Sequence, residues 1–157
     1  MIMETREILQ KVRSGELSIE DAEGLFRRQP FEEMGYAKLD THRKVRSGFA
    51  EVIFCSGKAD SHLLQIFGKL YEQDHEVFGT RASQAQYELI KNEYPQAVYD
   101  PISKIIKIEK RGKIRKGKVA VCTAGTADIP VAEEAAQTAE YFGTAVERIY
   151  DIGVSGL

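Results

Sequence analysis

Residues 118–154 decide the fold, and their sequence is KVAVCTAGTADIPVAEEAAQTAEYFGTAVERIYDIGV. An apolar strand, KVAVCT, leads into a glycine-containing turn. A helix then begins near Ile129, with Pro130 in the first turn, where proline is favoured. Gly143 ends that helix, and residues 146–154 form the next predicted strand. A strand, a helix and a second strand in this order predict a βαβ unit with parallel strands.

The preceding part of the chain also alternates between helices and strands. A helical hairpin is predicted before Pro30, helices over residues 61–71 and after Ser83, and strands at residues 36–39, 51–54, 77–78, 97–99 and 104–108. This alternation is typical of the α/β class. We therefore predict an N-terminal α+β domain over residues 1–112. Residues 113–157 then begin a doubly wound parallel sheet that is incomplete in this chain.

Residues 107–118 carry the predicted domain boundary, because they hold many lysines and arginines and two glycines. We interpret this run as a solvated linker, with a phosphate-contacting edge as the alternative. The βαβ unit after it is marginal as an independent domain and leaves both sheet edges and one face uncovered. It is expected either to dock on the preceding domain or to be continued by further chain, and we favour continuation.

Composition excludes several classes of protein. The chain has 157 residues and a formal net charge of -2, from 22 basic and 24 acidic residues, which argues against a general nucleic-acid binder. No apolar run is long enough to span a membrane. The two cysteines and the lack of a secretory signal favour a reducing cytoplasm without a disulfide framework. No group of residues shows the spacing of a structural metal site.

The TAGTAD loop (residues 123–128) follows a strand and precedes a helix, which is where open α/β sheets bind ligands. A glycine allows close approach, and the helix N-terminus suits a phosphate. We interpret the loop equally as a nucleotide site or as a plain strand–helix turn. The GVSG turn (residues 153–156) is interpreted equally as the neighbouring ligand loop or as a plain turn at the end of a strand. The candidate substrate-binding residues are Thr123, Gly125, Thr126, Asp128, Gly153, Ser155 and Gly156.

Several stretches together resemble one family. They are TAGTADIPVAEEA (residues 123–135), AEYFG (139–143), IYDIGVSGL (149–157), LDTHRKVRSGFAEVIFCSGK (39–58) and GTRAS (79–83). These segments resemble the LarB family, pyridinium-3,5-biscarboxylic acid mononucleotide synthases related to the PurE class of aminoimidazole ribonucleotide carboxylases and mutases. The sequence departs from the family pattern at Ala127, where a serine is usual, and at Ala50, where a proline is usual. The resemblance implies a PurE-like, flavodoxin-like sheet.

The resemblance also implies an activity in nickel-pincer nucleotide biosynthesis. The family carboxylates the pyridinium ring of nicotinic acid adenine dinucleotide and hydrolyses its phosphoanhydride to release AMP. The co-substrate is CO2 or bicarbonate, no cofactor is tightly bound, and Mg²⁺ is expected at most through substrate phosphates. A cysteine thiolate adds to the ring to make it nucleophilic. The resemblance implies that this cysteine lies beyond Leu157, in a part of the family pattern that follows the matched segments. Cys122, which is expected in a buried strand, and Cys55 are interpreted as structural. This chain alone is therefore expected to be inactive, and a homo-oligomer, an octamer by family analogy, is expected.

A second patch of polar residues lies in the N-terminal motif. It consists of Asp40, His42, Arg43, Arg46 and Lys58. Arginines bind pyrophosphate or carboxylate in a bidentate manner, but they also form ion pairs between domains. Ligand contact, domain interface and simple surface all remain open for this patch. Two other functions also stay open: a PurE-type carboxyaminoimidazole ribonucleotide mutase, and a non-catalytic nucleotide-binding or assembly module.

Overall fold

The computed structural model describes residues 5–26, 32–33, 38–39, 49–110 and 112–154. The chain forms two compact units, residues 1–50 and residues 51–157. The boundary predicted at residue 112 falls inside the second unit, and it stays a prediction that an unfolding experiment can test.

The first unit contains the predicted helical hairpin and one short pair of strands. The helices are α1 (Thr5–Ser14) and α2 (Ile19–Phe26), and the antiparallel strands are β1 (Glu32–Glu33) and β2 (Lys38–Leu39). Ser18 begins α2 as predicted, because its hydroxyl accepts a hydrogen bond from the Asp21 N–H at 3.0 Å. The same hydroxyl donates a hydrogen bond to the Asp21 carboxylate at 2.6 Å, so the side chains of Ser18 and Asp21 together cap the start of α2.

The second unit begins with a four-stranded sheet and two helices. In chain order the elements are β3 (Ile53–Phe54), α3 (Asp60–Asp74), β4 (Val77–Thr80), α4 (Gln84–Glu93), β5 (Val98–Asp100) and β6 (Ile105–Ile108). The strand order is β3-β4-β6-β5, in which β3 and β4 are parallel and the other neighbours antiparallel. The prediction of mixed α/β structure is confirmed, and the sheet itself contains both kinds of pairing.

A βαβ unit completes the described chain, as predicted. It consists of β7 (Lys118–Cys122), a 3₁₀ turn (Thr126–Asp128), α5 (Ile129–Tyr141) and β8 (Ala145–Ile149). The strands pair in parallel from Lys118↔Ala145 to Cys122↔Ile149. The second strand ends at residue 149, earlier than predicted, because Asp151 takes a left-handed backbone conformation with φ 60°.

The expectation that Cys122 lies in a buried strand is wrong. Four of the five residues of β7, Cys122 among them, are exposed to solvent. In the described part of the chain, α5 packs against the β7–β8 pair, and alternate side chains of the strands point to the opposite face. An apolar run predicts a strand, but its burial depends on what covers each face of the sheet.

Helix α5 also packs on the four-stranded sheet. Phe78 and Tyr141 are almost fully buried, and their ring centroids lie 4.5 Å apart. Ile105 belongs to the same buried cluster, and Phe142 packs against it. The βαβ unit therefore docks on the preceding strands, which was one of the two expected arrangements.

Polar contacts reinforce this docking. Lys113 Nζ donates to Glu76 Oε1 at 3.0 Å and to the Tyr141 carbonyl at 2.7 Å, and it lies 4.2 Å from the centre of the Tyr141 ring. Burial would raise the pKa of Glu76, but hydrogen bonds from Lys113 Nζ and the Lys110 N–H outweigh it and hold that pKa below its usual value. The interpretation of residues 107–118 as a solvated linker therefore does not hold for Lys113, which is part of a packed contact.

Candidate functional site

The TAGTAD loop lies at the carboxyl end of β7 and opens directly onto α5. Gly125 has extended backbone, and a Cβ built on it would meet no atom within 4 Å, so its surroundings are open. Asp128 and Thr126 are both exposed. Asp128 stands at the start of α5, but its side chain makes no capping hydrogen bond. The N–H groups of Asp128 and Ile129 already donate to the Gly125 and Thr126 carbonyls, and Pro130 has no N–H, so the start of α5 offers the loop the positive end of its dipole rather than a row of free N–H groups.

Thr123 has a different place from the other candidate residues in this loop, because it is buried. Its hydroxyl accepts a hydrogen bond from the Asp151 N–H at 3.3 Å, and its carbonyl accepts one from the Ile152 N–H at 3.0 Å. Its own N–H donates to the Ile149 carbonyl at 3.1 Å. Thr123 therefore joins the end of β7 to the chain that follows β8.

Gly153 lies at the same contact between the end of β7 and the chain that follows β8. A Cβ at this position would lie 2.7 Å from the carbonyl oxygen of Ala124, which is closer than real side chains approach backbone. Glycine is thus required for the two chain segments to touch. Ser155 and Gly156, the other candidates in the GVSG turn, lie outside the described residues.

An ion-pair network fixes β8 to α5 beside the site. The Arg148 guanidinium donates to both carboxylate oxygens of Glu140, at 2.8 and 3.0 Å, and to Glu133 Oε1 at 3.0 Å. The Tyr150 hydroxyl donates to Glu133 Oε1 at 2.7 Å. The hydrogen bond from Arg148 is the main cause that lowers the pKa of Glu140, against the effect of burial. This network holds the end of β8 at a fixed position relative to the helix.

The GTRAS segment also contacts α5, at a place that sequence reasoning left without a role. Arg81 has φ 56°, and its guanidinium forms a bidentate pair with Glu134, with distances of 3.1 and 2.8 Å. The pair lies at one side of a shallow groove of about 480 Å³ on α5, which Val131 and Phe142 also line. Arg81 therefore helps to dock the helix on the four-stranded sheet.

The second patch is represented by a single described residue. Lys58 is partly buried in the turn after β3, where its N–H donates to the Cys55 carbonyl at 3.2 Å. Asp40, His42, Arg43 and Arg46 lie outside the described residues. The choice between ligand contact, interface and surface therefore stays open.

The two cysteines differ in their surroundings. Cys55 is 1% exposed, and burial raises the pKa of its thiol to about 11, an effect that nearby Lys58 only partly offsets. A thiol with such a pKa is a poor nucleophile at neutral pH. Cys122 is exposed at the end of β7, next to the TAGTAD loop.

Within the described residues, no group of three or more His, Cys, Asp or Glu side chains is arranged to hold a metal ion. Within the same ranges, none of the helices has the length and apolar character needed to cross a membrane.

These features define a class: an α/β protein whose parallel strand pair presents an open glycine loop and an uncapped helix N-terminus at its carboxyl edge. Comparison with known proteins narrows the class. The chain belongs to the LarB/PurE-like N-terminal domain family, whose model matches residues 31–111. The chain is also similar to an uncharacterised protein of Methanocaldococcus jannaschii, with 31% identity over 161 residues. That alignment covers 97% of this chain, which spans 62% of the length of the relative.

Proposed function

We propose that this chain carries the nucleotide-holding loops of a LarB-type enzyme that carboxylates the pyridinium ring of nicotinic acid adenine dinucleotide and releases AMP. The family match supports the class. The observation that carries the proposal is the open TAGTAD loop at the start of α5, where Gly125 leaves room and Asp128 leaves the helix N-terminus uncapped. A phosphate is the ligand that such a terminus favours.

The chemistry explains why a rigid nucleotide site is needed. A pyridinium ring is too electron-poor to attack CO2. When a thiolate adds to the ring, an enamine forms whose carbon attacks CO2, and loss of the ring proton and of the thiolate restores aromaticity. The loops of this chain would position phosphate and ribose so that the ring meets CO2 and the thiolate.

The proposed thiolate comes from a cysteine that this chain does not contain. Cys55 is too deeply buried for this role. Cys122 is exposed, so it requires a direct test. In a complete LarB-type relative that has a cysteine at the position equivalent to Cys122, we expect replacing that cysteine by serine to leave the covalent adduct between enzyme and substrate intact in mass spectrometry. Loss of the adduct would assign the chemistry to this cysteine.

A ligand titration tests the proposal. We expect nicotinic acid adenine dinucleotide to raise the melting temperature of the chain and to bind in calorimetry, and aminoimidazole ribonucleotide to do neither. Asp128→Ala should weaken binding with little loss of stability, because Asp128 is exposed and makes no capping bond. Asp60→Ala is a matched control, since Asp60 is an exposed aspartate in the first turn of another helix, α3.

The outcomes separate the competing functions. Binding of aminoimidazole ribonucleotide instead would favour a PurE-type mutase, and binding without turnover in a complete relative would favour a non-catalytic module. We further propose that the protein works in the cytoplasm as a homo-oligomer. We also propose that CO2 or bicarbonate is the co-substrate and that any Mg²⁺ ion is held through substrate phosphates; no step is assigned to it.

A further inference from the structure

Asp151 is an exposed carboxylate with an unusual backbone conformation. It lies two positions after the end of β8 at Ile149, and its φ of 60° lies in the left-handed region. Residues other than glycine adopt this conformation rarely, although aspartate and asparagine tolerate it better than most. Sequence reasoning did not select this residue, because nothing in its neighbourhood predicts the conformation.

Three contacts fix this conformation against the TAGTAD loop. The Asp151 N–H donates to Thr123 Oγ1 at 3.3 Å, and the next N–H, of Ile152, donates to the Thr123 carbonyl at 3.0 Å. Gly153 then lies against the Ala124 carbonyl, where a Cβ would approach to 2.7 Å. Asp151 is therefore held beside the first residue of the loop that we propose binds phosphate. Thr123 acts as a positioning residue between the two segments.

The place of Asp151 in the βαβ topology indicates a role for its carboxylate. In a βαβ nucleotide fold, phosphate lies at the N-terminus of the helix after the first strand. A carboxylate at the end of the second, neighbouring parallel strand accepts hydrogen bonds from the ribose. Here β7 is the first strand, α5 the helix and β8 the second strand, and β7 and β8 are hydrogen-bonded neighbours. Asp151 occupies the position of the ribose-binding acid, on a chain that lacks the usual glycine fingerprint.

We infer that the Asp151 carboxylate accepts hydrogen bonds from the ribose hydroxyls of a nucleotide whose phosphate lies at the start of α5. This inference rests on the proposed function and deepens it, because it predicts that the site distinguishes ribose from deoxyribose. The left-handed backbone at Asp151 fits this role, because residues in rarely populated backbone conformations cluster at binding sites.

The test uses two ligands and three variants of this chain. The ligands are nicotinic acid mononucleotide and its 2′-deoxyribose analogue, titrated by calorimetry. Asp151→Gly removes the carboxylate and relieves the strain, and Asp151→Asn removes only the charge. Lys104→Gly is the matched control, because Lys104 is exposed and has φ 56° at the turn before β6.

We expect the wild-type chain to prefer the ribonucleotide by about 10- to 100-fold, the range of a hydrogen bond to a charged group. Asp151→Gly should abolish the preference while raising the melting temperature by about 1–3 °C, and Asp151→Asn should reduce the preference. Lys104→Gly should raise the melting temperature similarly and leave both affinities unchanged.

Two results would overturn the inference in distinguishable ways. If the wild-type chain binds the ribonucleotide and Asp151→Gly keeps the full preference, the assignment of Asp151 is wrong and the proposed function stands. If the wild-type chain binds neither nucleotide, both the assignment and the proposed function are wrong. The melting temperatures show in each case that the variant is folded.

Discussion

Tyr141 is the residue whose removal most directly tests how the second unit is held together. Its side chain is 2% exposed, it contacts Phe78 on the four-stranded sheet, and Lys113 Nζ lies 4.2 Å from its ring centre. We predict that Tyr141→Ala destabilises the βαβ unit and the four-stranded sheet together, because the ring fills the space between them.

The magnitude follows from these contacts. Removing a buried aromatic side chain costs about 3–5 kcal/mol of unfolding free energy, which includes the cavity that remains. Within that total, the Phe78 pair accounts for about 0.5–1.5 kcal/mol and the Lys113 cation for about 1 kcal/mol. In Tyr141→Ala, Lys113 keeps its hydrogen bonds to the carbonyl of residue 141 and to Glu76. A double-mutant cycle with Lys113→Ala therefore measures the interaction energy between the Tyr141 ring and the Lys113 cation. Tyr141→Phe keeps the ring, so we expect it to cost less than about 1 kcal/mol.

Urea unfolding followed by circular dichroism measures the cost, and hydrogen exchange measures whether the parts open together. Amides of β6 and β8 should open with the same free energy, and Tyr141→Ala should lower both values equally. A cost below about 1 kcal/mol would refute the reasoning. So would a state in which β6 stays protected after β8 has opened, and that state would support an independent boundary near residue 112.

Three further predictions test local features. Gly153→Ala should lower the melting temperature, because its Cβ would lie 2.7 Å from the backbone carbonyl oxygen of Ala124. Gly125→Ala should leave the melting temperature unchanged and weaken nucleotide binding, because the space around Gly125 is open. Equal changes in melting temperature for the two variants would contradict this prediction. Ser83→Ala should cost about 1 kcal/mol in urea unfolding, because the capping box that starts α4 is lost. The pKa of Glu76 is lowered in the folded state, so the stability that this group contributes is full at a pH above its unfolded pKa and is lost as the pH falls through its lowered folded pKa. In an acid titration Glu76→Gln should reduce that dependence, and an unchanged slope would contradict it.

Local patterns predicted much of the fold. Ser83 with Gln86 three positions later predicts a capped helix, and the structure contains both hydrogen bonds of the box. The βαβ unit follows from the KVAVCT strand, Pro130 and Gly143 in the same way, because each signal acts over a few residues. The candidate loop was located by the same reasoning, since its place between a strand and a helix is set by its neighbours.

The features that the sequence did not reveal depend on contacts between distant residues. Lys113 looks like one of several exposed lysines, but its partners Tyr141 and Glu76 are 28 and 37 positions away. The exposure of Cys122 depends on which face of β7 is covered, which an apolar pattern cannot specify. The left-handed conformation of Asp151 depends on a hydrogen bond to Thr123, a partner 28 positions away.

Helix α5 contacts both sheets of the second unit, through Tyr141 on one side and Glu140 with Glu133 on the other. Any change in its side chains must therefore suit two surfaces at once, and a shift that improves one fit loosens the other. Adaptation to a new ligand is easier at the exposed positions of the loop after β7, such as Thr126 and Asp128, whose side chains face solvent. Over evolutionary time we expect the helix to vary slowly and those positions to hold the differences between relatives.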